Sequence, residues 1–369
     1  MVVESIRKSA YTCSEYVPGK STDQVREAYG LDRVVKLGSN ENSYGPFPGT
    51  IEAMAKEITR LNIYPEKNYV KLKDLLGEMY GVNADWVGLG HGAGNVLDVL
   101  AKTFLEEGDE VIVPEKTYGL YSEISKVMGA TVVTTPMKNE IHIDLDAVKA
   151  AITDKTKLIY ICNPNNPTSV LEDKGELTEL IKGLPKNTWL ILDEAYAEFS
   201  NPEDLPDAIK LMQEDYNLIR VRTFSKYYGL AGGRIGYCVA KPDVTDMYNT
   251  VSEPFNSNRI GLAGAVALLE NCKEEAKFYA DKMNDDRAMM TSKMRAIGLE
   301  VVESGTNFIF FKTPYDAGEI GELLLRKGVI VRPCGGWSYP NHIRVSIGNT
   351  EENMEFIAKL GEVLDDLEK

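Results

Sequence analysis

Between residues 87 and 240, seven short apolar runs alternate with stretches of helical period, and this alternation limits the fold more than any other feature. The runs are "VGLG" (87–90), "EVIVPE" (110–115), "TVVTTP" (131–136), "LIYICN" (158–163), "WLILDE" (189–194), "IRVRTF" (219–224) and "IGYCVA" (235–240). Helical patterns such as "NVLDVLAKTFLEE" (95–107), "LYSEISKVMG" (120–129) and "LDAVKAAIT" (145–153) lie between most of them. Strands joined by helices at this spacing predict βαβ units, an α/β fold and a mostly parallel sheet. The runs are continuous rather than alternating, as expected of strands covered on both faces. From about residue 255 the pattern changes. A long helical stretch is followed by "LEVVES", "FIFFKT", "VIVRP" and "HIRVSIG", with helices at 317–327 and 350–367. The expected division is an N-terminal arm with a small-domain segment over 1–45, a large domain over 46–254, and a smaller C-terminal α/β domain over 255–369.

Composition narrows the function classes. The net charge of −15 argues against non-specific nucleic-acid binding, which needs a basic face. No apolar stretch is long enough to span a membrane, and "MVVESIRKSAYTC" lacks the apolar run of a signal peptide. Five cysteines without a C-x-x-C pair suit free thiols in a reducing compartment, so a cytoplasmic location is expected. The three histidines are far apart in sequence, which disfavours a zinc site or a Ser-His-Asp triad, and no metal is expected.

In open parallel sheets, ligands bind beyond the carboxyl ends of the strands. Four run ends carry polar groups there: the glycines of "GLGHGAG", Asn163, Asn165 and Asn166 of "NPNNPTS", Asp193, Glu194 and Tyr196 of "DEAY", and Thr223, Ser225 and Lys226 of "TFSK". Each has a bland reading as a turn residue, a cap or a surface charge. Together they describe one site. A lysine beside hydroxyls, glycines and Arg234 suits a Schiff base to an aldehyde cofactor that carries a phosphate. An ionised Asp193 on a neighbouring strand would keep a pyridinium nitrogen protonated. Gly88, Gly90 and Ala93 also match a dinucleotide fingerprint, with Glu115 near the expected acid, so an oxidoreductase is the reading from a different class. That reading leaves Lys226, Asp193 and Asn166 unused.

"NPNNPTS", "DEAY" and "TFSKYYGLAGGRIGY" resemble the fold-type I pyridoxal-phosphate aminotransferases. "YVPGK", "KLGSNENSYGP", "IYPEKNY", "PEKTYGLY", "VRP" and "HIRVSIG" narrow the resemblance to the histidinol-phosphate branch, in the expected order over nearly the whole chain. The resemblance implies a large domain with a seven-stranded, mostly parallel sheet and a ping-pong transfer between histidinol phosphate and 2-oxoglutarate. It implies that Lys226 carries the cofactor and then acts as the general base. Asp193 would bind the pyridine nitrogen. Asn166 and Tyr196 would hold the ring hydroxyl oxygen, and Tyr118 would stack on the ring. Gly92, Ala93 and Gly94, with Thr223, Ser225 and Arg234, would hold the phosphate. Tyr64 would reach that phosphate from the other subunit of a homodimer. Arg344, with Asn166 nearby, would take the substrate carboxylate, and Arg332 and Tyr16 the substrate phosphate. An aromatic aminotransferase and a phosphothreonine decarboxylase share these features. The chain departs from the family at Gly94 and Asn95, where an acidic residue is usual. It also departs at Ser169, where glycine is usual, and at Ser43.

Overall fold

The computed structural model describes residues 5–15, 19–66 and 68–369. A mixed seven-stranded sheet forms the centre. Its strands are β1 (Val87–Gly90), β2 (Glu110–Pro114), β3 (Thr131–Thr135), β4 (Thr156–Cys162), β5 (Trp189–Asp193), β6 (Leu218–Thr223) and β7 (Gly236–Val239). They lie in the order β1-β7-β6-β5-β4-β2-β3. Only β7 runs antiparallel to its neighbours, so the other six point their carboxyl ends to one edge.

The continuous apolar runs are explained by helices on both faces. Leu89, Ile112, Ile159, Leu190 and Tyr237 face one core cluster, and Val111, Leu158, Tyr160, Ile191 and Cys238 face another. The first is closed by helices α1 (Pro48–Ile58) and α2 (Val70–Tyr80). The second is closed by α3 (Ala93–Phe104) and α4 (Leu120–Met128). Fully burying a side chain such as Leu97 or Leu100 of α3 contributes about 1.5–3 kcal/mol.

Helix α5 (Arg259–Asn271) packs against α1 and on the large-sheet core, although the pattern changes before it begins. The reason is its small residues. A Cβ at Gly261 would stand 2.0 Å from the Gly233 carbonyl oxygen, and one at Gly264 would stand 2.9 Å from Met54 Sδ. Helix α6 (Lys273–Ala296) carries the chain across. Its Ala276 lies in the large-sheet core, whereas Ala280, Met283, Met290 and Met294 lie in the core of a second sheet. That sheet is antiparallel, with β8 (Glu300–Val301), β9 (Phe308–Lys312), β10 (Arg332–Pro333) and β11 (His342–Ser346) in the order β8-β9-β11-β10. The N-terminal segment joins this side: Val35–Lys36 pairs in parallel with Val329–Ile330, and Val35 and Leu37 are buried in the second core. This pairing carries Gly38, Ser39 and Asn40 to the carboxyl edge of the large sheet, where they meet Arg344, Lys226 and Tyr196.

Candidate functional site

Asp193 ends β5, and its carboxylate is buried with 3% exposure. Oδ2 accepts from Tyr121 Oη at 2.7 Å, and Oδ1 accepts from the Ala195 N–H at 3.1 Å. Burial pushes its pKa up to about 6, against the pull of these two donors. Tyr121 is fixed by stacking on Tyr160, with centroids 4.9 Å apart, and by an edge contact with Tyr118 at 5.5 Å.

Lys226 follows β6. Its Nζ donates to the Ser39 carbonyl oxygen at 3.0 Å and lies 5.8 Å from the Tyr196 ring centroid. Burial, helped by the positive charge of Arg344, pushes its pKa down to about 8. Tyr196 Oη accepts from Asn40 Nδ2 at 3.1 Å, and burial raises its pKa. Arg344, in the middle of β11, donates to Asn166 Oδ1 at 2.6 Å and to the Gly38 carbonyl oxygen at 2.8 Å. Two of the expected substrate residues therefore touch each other. Arg332 on β10 is the register partner of Arg344.

An anion cradle stands at the end of β1. Gly92 precedes α3 with φ of 90°, so the N–H groups of Ala93 and Gly94 in the first turn have no carbonyl partner within the helix. Positive charge at a helix N-terminus favours an anion there. A Cβ on Gly92 would stand 2.3 Å from Arg234 Nη2, so the missing side chain is what lets the guanidinium close on the loop. Arg234 itself donates to the Ala231 and His91 carbonyl oxygens. Thr223 and Ser225 are buried at the end of β6, and the Ser225 N–H donates to Thr223 Oγ1 at 3.1 Å. The set joins an amine, a buried acid and an anion cradle, which can hold an aldehyde with a cationic ring and a phosphate and move a proton beside it.

The sequence profile described as aminotransferase class I and II matches residues 32–360. The chain belongs to this aminotransferase family. The histidinol-phosphate aminotransferase 2 of Pasteurella multocida is 38% identical to it over 349 residues, 95% of each chain. The histidinol-phosphate aminotransferase of Symbiobacterium thermophilum is 35% identical over 359 residues, 97% of this chain and 98% of its own. Among solved structures, the histidinol-phosphate aminotransferase of Sinorhizobium meliloti, in complex with pyridoxal-5'-phosphate, is similar with a TM-score of 0.89 at 26% identity, covering 99% of both chains.

Membership in the aminotransferases removes the dinucleotide reading of the first glycines, and packing explains them instead. A Cβ at Gly88 would meet Tyr248 at 2.7 Å and Cys238 Sγ at 2.8 Å. The departures also have local reasons. Asn95 Oδ1 accepts from the His91 N–H at 3.2 Å and closes the loop. Ser169 takes a left-handed conformation with φ of 66°, the region that glycine enters most easily. Nothing in the structure explains Ser43.

Tyr64 stands apart from the other site residues in this single chain. It is 76% exposed and stacks on Phe255 with centroids 4.7 Å apart. Tyr16 lies outside the described residues. Tyr121, Asn40 and the Ser39 carbonyl were not among the expected site residues. Tyr121 sits three places after Tyr118, in the quoted "KTYGLY", and Asn40 lies within "KLGSNENSYGP". Among the described residues, no cluster of His, Cys, Asp or Glu could hold a metal, and no helix is long and apolar enough to cross a membrane.

Proposed function

We propose that this aminotransferase uses pyridoxal phosphate to move the amino group of histidinol phosphate to 2-oxoglutarate, in histidine biosynthesis, as a homodimer in the cytoplasm. The observation that carries the substrate is Arg332 opposite Arg344 on adjacent strands, because two guanidinium groups at one place suit a doubly charged phosphate. The matching relatives bear the same activity in their names.

The residues present fit the cofactor. Asp193 is a buried acid suited to a cationic ring nitrogen, and Gly92 leaves the space in which Arg234 flanks the cradle. Bound pyridoxal phosphate supplies an electron sink for the charge left at the substrate Cα when its proton departs. The chain does the rest. Lys226 holds the cofactor and then removes the Cα proton, and a pKa of about 8 lets it both take and release one near neutral pH. Asp193 supplies a fixed negative charge, and Tyr121 orients it. Tyr196, held by Asn40, and Asn166, held by Arg344, place donors at the ring hydroxyl oxygen. Tyr118 covers the ring. Thr223, Ser225, Arg234 and the N–H groups of Ala93 and Gly94 fix the phosphate, while the Gly92 N–H donates to the Gly90 carbonyl oxygen at 2.9 Å. Arg344 orients the carboxylate of the acceptor, and Arg332 and Tyr16 bind the phosphate of the donor.

The homodimer reading is supported by an exposed apolar surface comprising Ile51, Ile58, Leu61, Ile63, Tyr64 and Phe255. It borders the phosphate loop, because the ring of His91 bonds the Asn256 carbonyl oxygen. A second copy on this surface would bring Tyr64 to the cradle of its partner.

Two measurements test the proposal. Borohydride reduction of the yellow holoenzyme should fix the cofactor to Lys226, read by peptide mass. Steady-state kinetics with 2-oxoglutarate should favour histidinol phosphate over aromatic amino acids, with no decarboxylation of phosphothreonine. Absence of turnover with histidinol phosphate would falsify the substrate.

A further inference from the structure

Arg332 and Arg344 are register partners, so their side chains share one face of the small sheet, where like charges repel. The turn between the two strands folds back over them. The indole centroid of Trp337 lies 5.5 Å from Arg332 Cζ and 5.8 Å from Arg344 Cζ. The indole N–H donates to the Thr117 carbonyl oxygen at 2.8 Å, immediately before Tyr118. Two residues on, the ring of Tyr339 lies 4.3 Å from Lys116 Nζ. The segment so gripped is itself anchored. Thr117 Oγ1 donates to Asn165 Oδ1, and Asn165 Nδ2 donates to the Lys116 carbonyl oxygen, one residue from Asn166.

We propose that Trp337 is a positioning residue that sets donor specificity, with its ring holding Arg332 and Arg344 side by side as one dianion site and its N–H locking that site against the segment bearing Tyr118. The inference rests on the phosphorylated donor proposed above. An aromatic face attracts both cations without adding negative charge. A carboxylate in its place would attract them too, but would repel an incoming phosphate. An aliphatic side chain would remove this attraction and leave the mutual repulsion of the guanidinium groups in place. The hydrogen bond to Thr117 has a separate consequence. It ties the small-sheet turn to the segment bearing Tyr118, which holds the dianion site in place for the donor phosphate.

The test uses the holoenzyme with Trp337→Leu, which removes both the face and the N–H, and Trp337→Phe, which loses the N–H and keeps a face, so that their difference reads the face. Trp337→Leu should raise KM for histidinol phosphate about 10-fold and weaken competitive inhibition by inorganic phosphate by a similar factor, leaving kcat within about two-fold. KM for a donor without phosphate, L-phenylalanine, should move less than about three-fold. Trp337→Phe should keep phosphate inhibition within about three-fold of the parent. Equal effects on both donors, or unchanged phosphate inhibition in Trp337→Leu, would overturn the proposal. Absence of parent turnover with histidinol phosphate would remove the substrate reading alone. Calorimetric binding of inorganic phosphate to the three holoenzymes would then decide the role of Trp337.

Discussion

Asp193 and Glu194 are consecutive carboxylates at the end of one strand, and they have opposite surroundings. Both are buried. Glu194 Oε2 pairs with Arg220 at 2.5 Å and Arg222 at 2.7 Å, and Arg222 also pairs with Glu198 at 3.0 Å. Burial would raise its pKa, but the two arginines outweigh burial and hold it below the usual range. Asp193 accepts from a hydroxyl and one N–H, with no arginine paired to it among the described residues, and burial raises its pKa to about 6. The side chains of successive strand residues point to opposite faces, so one residue step separates the two settings. Glu194 is neutralised by the chain itself and belongs to the fold. Asp193 keeps a charge that the chain does not neutralise, and so can serve a cation brought from outside. Lys226 belongs with Asp193, because its ammonium meets a carbonyl oxygen rather than a carboxylate.

Replacing a group of the second kind should cost activity and spare stability, and replacing one of the first kind should do the reverse. The largest effect is expected for Lys226→Ala. Loss of the general base should lower turnover about 10⁴-fold or more, while urea unfolding of the cofactor-free protein stays near that of the parent. Retained turnover would place the base elsewhere. Glu194→Ala is the counterpart. Leaving Arg220 and Arg222 buried without their shared partner should cost about 3–5 kcal/mol of stability. The fraction that remains folded should keep kcat within a few-fold. A large loss of kcat in fully folded protein would break the distinction between the two carboxylates.

Asp193→Asn sharpens the contrast through pH. The carboxyl has an ordinary value of 3.8 and rises to about 6 when folded, so the cofactor-free folded state prefers it protonated. Its ionisation therefore carries no penalty below about pH 4. The penalty grows as pH rises and is complete above about pH 6, reaching about 3 kcal/mol. Asparagine keeps an acceptor for Tyr121 and has no charge to bury. The cofactor-free variant should be more stable than the parent at pH 8, and the gap should close by pH 4, as read by denaturant midpoints. The holoenzyme should show the opposite ranking in activity, with Asp193→Asn slower about 10²-fold or more. A stability gap independent of pH would mean that Asp193 is already neutralised within the chain.

The sheet and the ends of its strands were legible because burial on both faces produces continuous apolar runs, and polar residues that interrupt such runs are conspicuous. Asp193, Thr223 and Lys226 could be found in this way. Residues that complete their surroundings could not. Tyr121 reaches Asp193 across 72 positions and Asn40 reaches Tyr196 across 156, and only packing sets such contacts. Helix α5 misled for another reason. Its small residues are chosen by the close approach of α1 and carry no label of the layer they join. The proposed site also draws on Tyr64, whose surroundings in this chain are an exposed stack. Its proposed role comes from the resemblance to a family, because the packing of a single chain carries no trace of a contact with a second copy.

The smallest effect expected is that of Tyr121→Phe, and it tests whether the isolation of Asp193 is tuned. The hydroxyl donates to the ionised carboxylate, so it favours the charged form and opposes burial. Phenylalanine keeps the stack on Tyr160 and removes only that donor. The pKa of Asp193 should then rise above 6, and less of it should be ionised at pH 7. Its attraction for a cationic ring nitrogen should fall by about 1 kcal/mol, or about five-fold in the dissociation constant of pyridoxal phosphate. The deficit should shrink as pH rises, because alkali ionises the carboxyl without help from the hydroxyl. A titration of cofactor binding by absorbance at pH 6.5 and 8.5 reads both quantities. A five-fold loss that is the same at both pH values would assign the contribution of Tyr121 to the position of the ring, and not to the charge of its neighbour.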